Sequence, residues 1–143
     1  VSGVGTLDAL GRGLGEAAAG RDRIAILDAR RGEAVAALYS AAGDSLWGPL
    51  LGSPVDLAAR ISKLPGPALC GGSGAVRFRQ QFASQGVEIP DDADPVHRVA
   101  ARHVCALAAA GTGEDESGSV APIYLRPPDA ERWRERDSVQ AAE

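Results

Sequence analysis

The chain has no methionine, two cysteines and only 4% aromatic residues. Without methionine, Val1 is not an untouched translation start, and the chain reads as a processed product or a segment of something longer. Cys70 and Cys105 have neither metal-ligand spacing nor the density of a secreted scaffold, so they read as two free thiols in a reducing cytosol. With so few rings, a core must rest on alanine, valine, leucine and isoleucine. No apolar run has the length of a membrane span, and no signal peptide is expected ahead of the fold. The expected location is cytoplasmic. A net charge of −4 and a pI near 5.2 argue against a surface whose main task is gripping nucleic acid, although local basic patches are compatible with both. The sequence holds no HExxH, no GxSxG and no carboxylate pair at useful spacing. Zinc-peptidase and nucleophile-elbow chemistry therefore have nothing to stand on, and no metal ligand set is predicted.

What is present is enough for one domain: 143 residues, 45% hydrophobic and 24% charged. The organising stretch is Ile24–Ala41. Ile24 to Leu27 is a short continuous apolar run, which suits a strand covered on both faces. Asp28, Arg30, Arg31 and Gly32 supply turn chemistry, with Gly32 free to take positive φ. Glu33 to Tyr39 leaves the corner as a second strand. Gly43 and Asp44 turn the chain again into a third, Ser45 to Leu51.

Ahead of this hairpin, Val4, Leu7, Leu10, Leu14, Ala17 and Ala18 share one helical face over about residues 4–19. Gly11, Gly13 and Gly15 should each weaken that helix by about 1 kcal/mol relative to alanine. Behind it, Ser53 caps a helix opened by Pro54, with Val55, Leu57, Ala58 and Ile61 on its apolar side. Ala68 to Cys70 reads as a buried strand running into Gly71-Gly72-Ser73-Gly74. Ala75 to Ser84 reads as a helix, and Val87 to Ile89 as at most a brief strand. The clearest helical period runs from Pro95 to Ala110, capped by Asp94, with Val96, Val99, Ala100, His103, Val104 and Leu107 on its apolar face. His103 then reads as a core histidine and His97 as a residue of the polar side. Residues 111–119 form an acidic linker and 120–125 a last extended segment.

The order strand, strand, strand, helix, strand, helix, weak strand, helix is that of an α/β ribonuclease-H-like lobe. Three antiparallel strands are extended by parallel crossover strands, with helices on both faces of a mixed sheet. The expected domain is 1–126, with a core over 24–110, a closing segment over 120–126 and a polar tail over 127–143.

Several short segments carry a resemblance: Gly5-Thr6-Leu7-Asp8-Ala9-Leu10, Leu27-Asp28-Ala29-Arg30-Arg31-Gly32-Glu33, Ala37-Leu38-Tyr39 and Pro122-Ile123-Tyr124-Leu125-Arg126-Pro127. Together, over most of residues 3–131, they resemble the second half of the bacterial TsaB (YeaZ) family, long labelled glycoprotease-like. The DARRGE corner and the PIYLRP segment are the most specific parts. The resemblance implies one lobe of a two-lobe, actin-like ATPase body. It implies a non-catalytic scaffold for forming threonylcarbamoyladenosine on tRNA, partnered by a TsaD-type transferase and a small ATPase. The family's first lobe, with its glycine-rich stretch and pairing helices, has no counterpart here. No cofactor is therefore expected of this chain alone, a nucleotide belonging only to the intact two-lobe complex.

Against actin-like ATPases, Gly71, Gly72 and Gly74 correspond to the adenosine-side loop, where backbone N–H groups at a helix start can hold a nucleotide. Glycines are equally needed just to turn from strand to helix. Asp28 stands where such enzymes place a phosphate- or metal-side carboxylate, and reads equally as an Asx-turn residue bonding the Arg30-Arg31 backbone. Arg30 and Arg31 read as a solvated corner sooner than an anion site. Tyr124, Leu125 and Arg126 either close the sheet edge or contact a partner, since Tyr and Arg are favoured interface anchors. A competing function is a lobe of an actin-like ATP-dependent enzyme with its own nucleotide site. A nuclease of ribonuclease-H type would need three or four clustered acids, where the strands offer Asp28 and Glu33. A lobe without its mate should leave Val4, Leu7, Leu10 and Leu14 exposed and self-associate through them.

Overall fold

The computed structural model describes residues 3–111 and 120–127. The acidic linker over 112–119 and the tail beyond 127 lie outside them. The chain builds helix α1 (Thr6–Ala17), strands β1 (Asp22–Asp28), β2 (Ala34–Tyr39) and β3 (Ser45–Gly52), helix α2 (Pro54–Ile61), strand β4 (Ala68–Gly71), short helices α3 (Ser73–Arg77) and α4 (Arg79–Ala83), a 3-10 turn (Pro95–His97) and helix α5 (Ala101–Ala109). This is a mixed α/β fold around one four-stranded sheet in the order β3-β2-β1-β4. No helix among the described residues is long and apolar enough to cross a membrane.

The Ile24–Ala41 stretch forms the expected hairpin. β1 and β2 pair antiparallel, with Ile24 opposite Leu38 and Asp28 opposite Ala34. β3 pairs antiparallel with β2, and β4 pairs parallel with β1, with Ile24 opposite Cys70. Consecutive side chains alternate between faces. Ile24, Ile26, Ala36, Leu38 and Cys70 meet Leu57, Ala58, Ile61, Ala75 and Phe82 on one side. Ala25, Ala37, Tyr39 and Leu69 meet Leu7, Leu10 and Leu14 of α1 and its C-cap Ala18 on the other. β1 is therefore covered on both faces, which is why its apolar residues run without interruption. Beyond β4, Cys70 N–H donates to the Glu88 carbonyl at 2.8 Å and Glu88 N–H to Ala68 at 3.0 Å. This is the whole of the weak strand anticipated at 87–89, an isolated bridge.

α1 is held by what its glycines admit. A Cβ on Gly11 would lie 2.5 Å from the Tyr39 ring, one on Gly13 would lie 3.1 Å from His103, and one on Gly15 would overlap the Arg23 guanidinium. The three glycines are contact points where ring, imidazole and guanidinium press on the helix backbone. Tyr39 reaches past Gly11 to hydrogen-bond Asp8 at 2.7 Å. Burial first, and this bond second, push its phenol above the usual range. Arg23 is buried. It donates to the carbonyls of Gly11 at 3.4 Å, Ser40 at 3.3 Å and Ala41 at 2.8 Å, fastening α1 to the β2–β3 turn. Its Nε has no hydrogen-bond partner. Ala19 and Gly20, at φ +51° and +79°, end the helix region, and the Arg21 side chain caps the Ala18 carbonyl at 2.9 Å.

Four expectations need correction. First, Pro95–Ala110 is not one helix. Asp94 does cap a start, accepting from Val96 N–H at 2.8 Å. Arg98 and Ala100 are nevertheless extended (ψ 141° and 137°), and the α-helix begins only at Ala101. The buried His97 ring is bonded to backbone on both sides, which fixes the turn there and breaks the helical path. Second, the expected 75–84 helix is two pieces, broken at Phe78 (φ −110°, ψ 31°). Third, residues 120–127 form no strand and do not close the sheet. Fourth, the apolar face of α1 is not exposed. Leu7, Leu10 and Leu14 are 9%, 1% and 0% accessible against their own sheet, so no patch remains there to drive self-association.

Two outcomes follow for variants. Leu7→Asp with Leu10→Asp should abolish the cooperative unfolding transition in circular dichroism. Each buried carboxylate costs several kcal/mol, against a total stability of about 5–15 kcal/mol. Gly11→Ala should lower the thermal midpoint although alanine favours helix by about 1 kcal/mol, because overpacking against Tyr39 costs about 1–3 kcal/mol. Gly66→Ala, where an added Cβ meets nothing within 4 Å, should be neutral.

Candidate functional site

Parallel strands β1 and β4 leave the sheet at the same end, Gly71 opposite Ala25 with β1 running on to Asp28, and the sequence-predicted nucleotide residues lie at that end. In open α/β sheets this is the end at which ligands bind. The Asp28 N–H donates to Ser73 Oγ at 3.1 Å, tying the DARRGE corner to the glycine turn. Gly71, Gly72, Gly74 and Asp28 are thus brought together, as the strand order requires.

Each of these groups is already engaged by the protein. A Cβ at Gly71 would lie 2.5 Å from Leu14, and one at Gly74 would lie 2.7 Å from Ile26 and 2.8 Å from the Leu27 carbonyl carbon. One at Gly72 would strike the Ile26 carbonyl oxygen, and Gly72 itself sits at φ +113°. The glycines are set by the closeness of β1 and α1. The Gly72 N–H, at the start of the turn, donates to His97 Nδ1 at 3.1 Å. α3 runs for only five residues behind it.

His97 supplies the hinge that the sequence did not disclose. With Nδ1 accepting from Gly72, its Nε2 faces the carbonyls of Pro90 at 3.2 Å and Asp91 at 3.1 Å. This pattern assigns the proton to Nε2 and leaves neither ring nitrogen for proton transfer. Arg79 holds the same segment, donating to the Ile89 carbonyl at 2.9 Å and to Asp92 at 2.9 Å. Nothing local marks His97 in the sequence, because its partners lie 25 and 6–7 residues away.

Asp28 behaves as an Asx-turn residue. One carboxylate oxygen accepts from Arg30 N–H at 2.8 Å and the other from Arg77 at 2.7 Å. The Arg30 backbone bond first, and Arg77 second, hold its carboxyl below the usual range. The corner closes through Ala29 N–H to Glu33 O and Glu33 N–H to Arg30 O, each at 3.0 Å. It takes three successive positive φ values: Arg30 at +63°, Arg31 at +55° and Gly32 at +76°. Glycine takes such angles freely and arginine does not; left-handed backbone costs a non-glycine residue about 1–2 kcal/mol.

The three residues of the PIYLRP segment separate. Tyr124 is 82% exposed and Leu125 39% exposed, while Arg126 pairs with Glu33 of the corner. His103 is buried with Gly13 against its ring, as a core histidine would be. Cys70 and Cys105 are free thiols, one buried and one exposed, and burial pushes the Cys70 thiol up to about 12. Among the described residues, no three histidine, cysteine or acidic side chains are grouped to hold a metal ion. No protein-family model and no curated protein matches the chain.

His97→Leu should cost on the order of 2–3 kcal/mol in urea unfolding, since it strands the buried Gly72 N–H. Because that amide is already occupied, millimolar ATP should leave the thermal midpoint of the unaltered chain in place. A ligand that binds only the folded state would raise it by mass action, so an upward shift would show an ATP site here.

Proposed function

We propose that the chain is the C-terminal lobe of a non-catalytic scaffold subunit of TsaB (YeaZ) type. In this reading it serves the bacterial machinery that forms threonylcarbamoyladenosine on tRNA, and it acts by binding a TsaD-type transferase in the cytoplasm, with a small ATPase as third member. The observation that carries the reading is the contact of Arg126 with Glu33. It joins PIYLRP to DARRGE, the two segments in which the family resemblance is most specific, although 93 residues separate them in the chain.

The fold is compatible. A ribonuclease-H-like lobe has antiparallel neighbours followed by a parallel crossover strand and helices on both faces, and the strand order β3-β2-β1-β4 agrees with that plan. A scaffold role is also favoured by the state of the strand ends. His97 has both ring nitrogens engaged by backbone, and Asp28 has both oxygens engaged by Arg30 and Arg77. The competing reading, a lobe of an actin-like ATP-dependent enzyme, draws on the same convergence of Asp28 with Gly71, Gly72 and Gly74. It would require those bonds to be broken before a nucleotide could enter.

Depletion of the gene in its own host provides the test. Under the scaffold reading, threonylcarbamoyladenosine in bulk tRNA falls, and the tagged protein co-purifies with the host's TsaD-type transferase. Unchanged nucleoside levels with no transferase recovered would overturn it. Metal-dependent ATP turnover by the purified chain, abolished by Asp28→Ala, would favour the enzyme instead.

A further inference from the structure

The face of the sheet that carries α1 is unevenly covered. The leucines of α1 bury Ala25, Ala37, Tyr39 and Leu69. One step toward the β1–β2 corner, Leu27, Val35 and Leu51 lie in register across three strands, Leu27 opposite Val35 and Val35 opposite Leu51. All three are only partly buried, and Leu27 and Val35 touch the α1 cluster from its margin. They form an aliphatic row about 10 Å wide, or two strand spacings.

The chain itself returns to this row. A Cβ on Gly3, just ahead of α1, would lie 3.1 Å from Val120, and Arg126 pairs with Glu33 at the entry to β2. Residues 120–126 therefore cross the corner end of the sheet, and Arg126 is held about 7 Å of strand away from Val35. Their own large side chains stay exposed, Val120 at 50%, Ile123 at 66% and Tyr124 at 82%. The next large apolar side chain is Trp133, set among charged residues in Glu131-Arg132-Trp133-Arg134-Glu135.

We propose that residues 128–143 dock across this row as a strap, with Trp133 as the anchor on Leu27, Val35 and Leu51. Reach allows it in any conformation. The stretch from Arg126 to Trp133 spans roughly 23 Å extended and roughly 10 Å as a helix, and either distance covers the row. Tethering favours this occupant over a second copy, because a short link sets an effective concentration in the millimolar range that a second copy would have to match. Composition favours it too. Tryptophan is among the side chains that dominate contact energies, and the charged residues on either side of Trp133 can remain in water while its ring is covered. The inference goes beyond the scaffold reading and does not depend on it.

Acrylamide quenching of Trp133 fluorescence tests the proposal on the whole chain carrying Trp47→Phe, which leaves Trp133 as the one tryptophan. The informative variant adds Val35→Thr with Leu51→Thr, since threonine suits a strand and removes apolar surface. Val55→Thr with Val104→Thr, at exposed positions of α2 and α5, is the control. The proposal expects quenching at least about threefold slower than that of free N-acetyltryptophanamide, as for an anchor ring kept from water. The rate should rise toward the free value in the row variant and stay unchanged in the control. Quenching as fast as the free compound, or slow quenching that the row variant leaves in place, would overturn the proposal. Protection that grows with protein concentration would also overturn it, assigning the row to a second copy. Because Trp47 packs against the core, fluorine NMR of the chain with both tryptophans kept, labelled with fluorotryptophan, gives a second reading. The Trp133 resonance, identified by its loss in Trp133→Phe, should shift in the row variant and not in the control; the absence of that shift would overturn the proposal.

Discussion

Closeness of backbone to backbone is the constraint on which this structure depends. A chain with few rings cannot fill a wide gap between helix and sheet, so it narrows the gap. Alanines at 25, 34, 36, 37 and 68 line the sheet with almost no accessible surface. Glycines at 11, 15, 71, 72 and 74 let α1, β1 and the β4–α3 turn approach until a single added carbon would collide. The few large side chains are set into that narrow space at fixed points: Tyr39 on Gly11, Arg23 beside Gly15, Leu14 on Gly71. In a core packed to this density each methylene is felt. The glycines that local propensity counts against α1 are therefore the residues that seat it.

The same closeness determines what the strand ends can do. The turn after β4 has the form of an anion site, a glycine-rich bend leading into a helix, but its interior is occupied by protein. Leu14, the Ile26 carbonyl and His97 stand where a ligand would need room. Beyond Asp28, the side chains of Arg30 and Arg31 stand outside this packed end, on the braced turn.

The hairpin, the parallel placement of β4 and the caps of α2 were legible in the sequence. They rest on short-range signals: a four-residue apolar run, a five-residue polar corner, and Ser53 ahead of Pro54. The failures were all long-range. Val96, Val99, His103 and Val104 share a helical period, yet the chain between His97 and Ala101 is extended because Gly72 and the 90–91 carbonyls capture the His97 ring. The three glycines of α1 looked like weakness because their partners, Tyr39, His103 and Arg23, lie on other elements. Burial of the α1 leucines was misjudged because it was derived from an expected two-lobe body and not from this chain's own sheet. At the candidate site, Asp28 and the glycines could be placed together from strand order, whereas Ser73, Arg77 and His97 became visible only once the elements were assembled.

Cys70 and Cys105 give the molecule two sulfur atoms of opposite kinetic character. Cys70 sits in the middle of β4 with no accessible surface, and burial raises its thiol to about 12, so its reactive thiolate is scarce as long as the core is shut. Cys105 lies exposed on α5. A thiol reagent therefore meets a fast site and a gated one on the same chain. Modification of the fast site reports only on encounter, while the rate at the gated site measures how often β4 parts from its neighbours. The sheet thus carries an internal clock of its own opening, set by the residue that lies directly opposite Ile24 in the register of the two parallel strands.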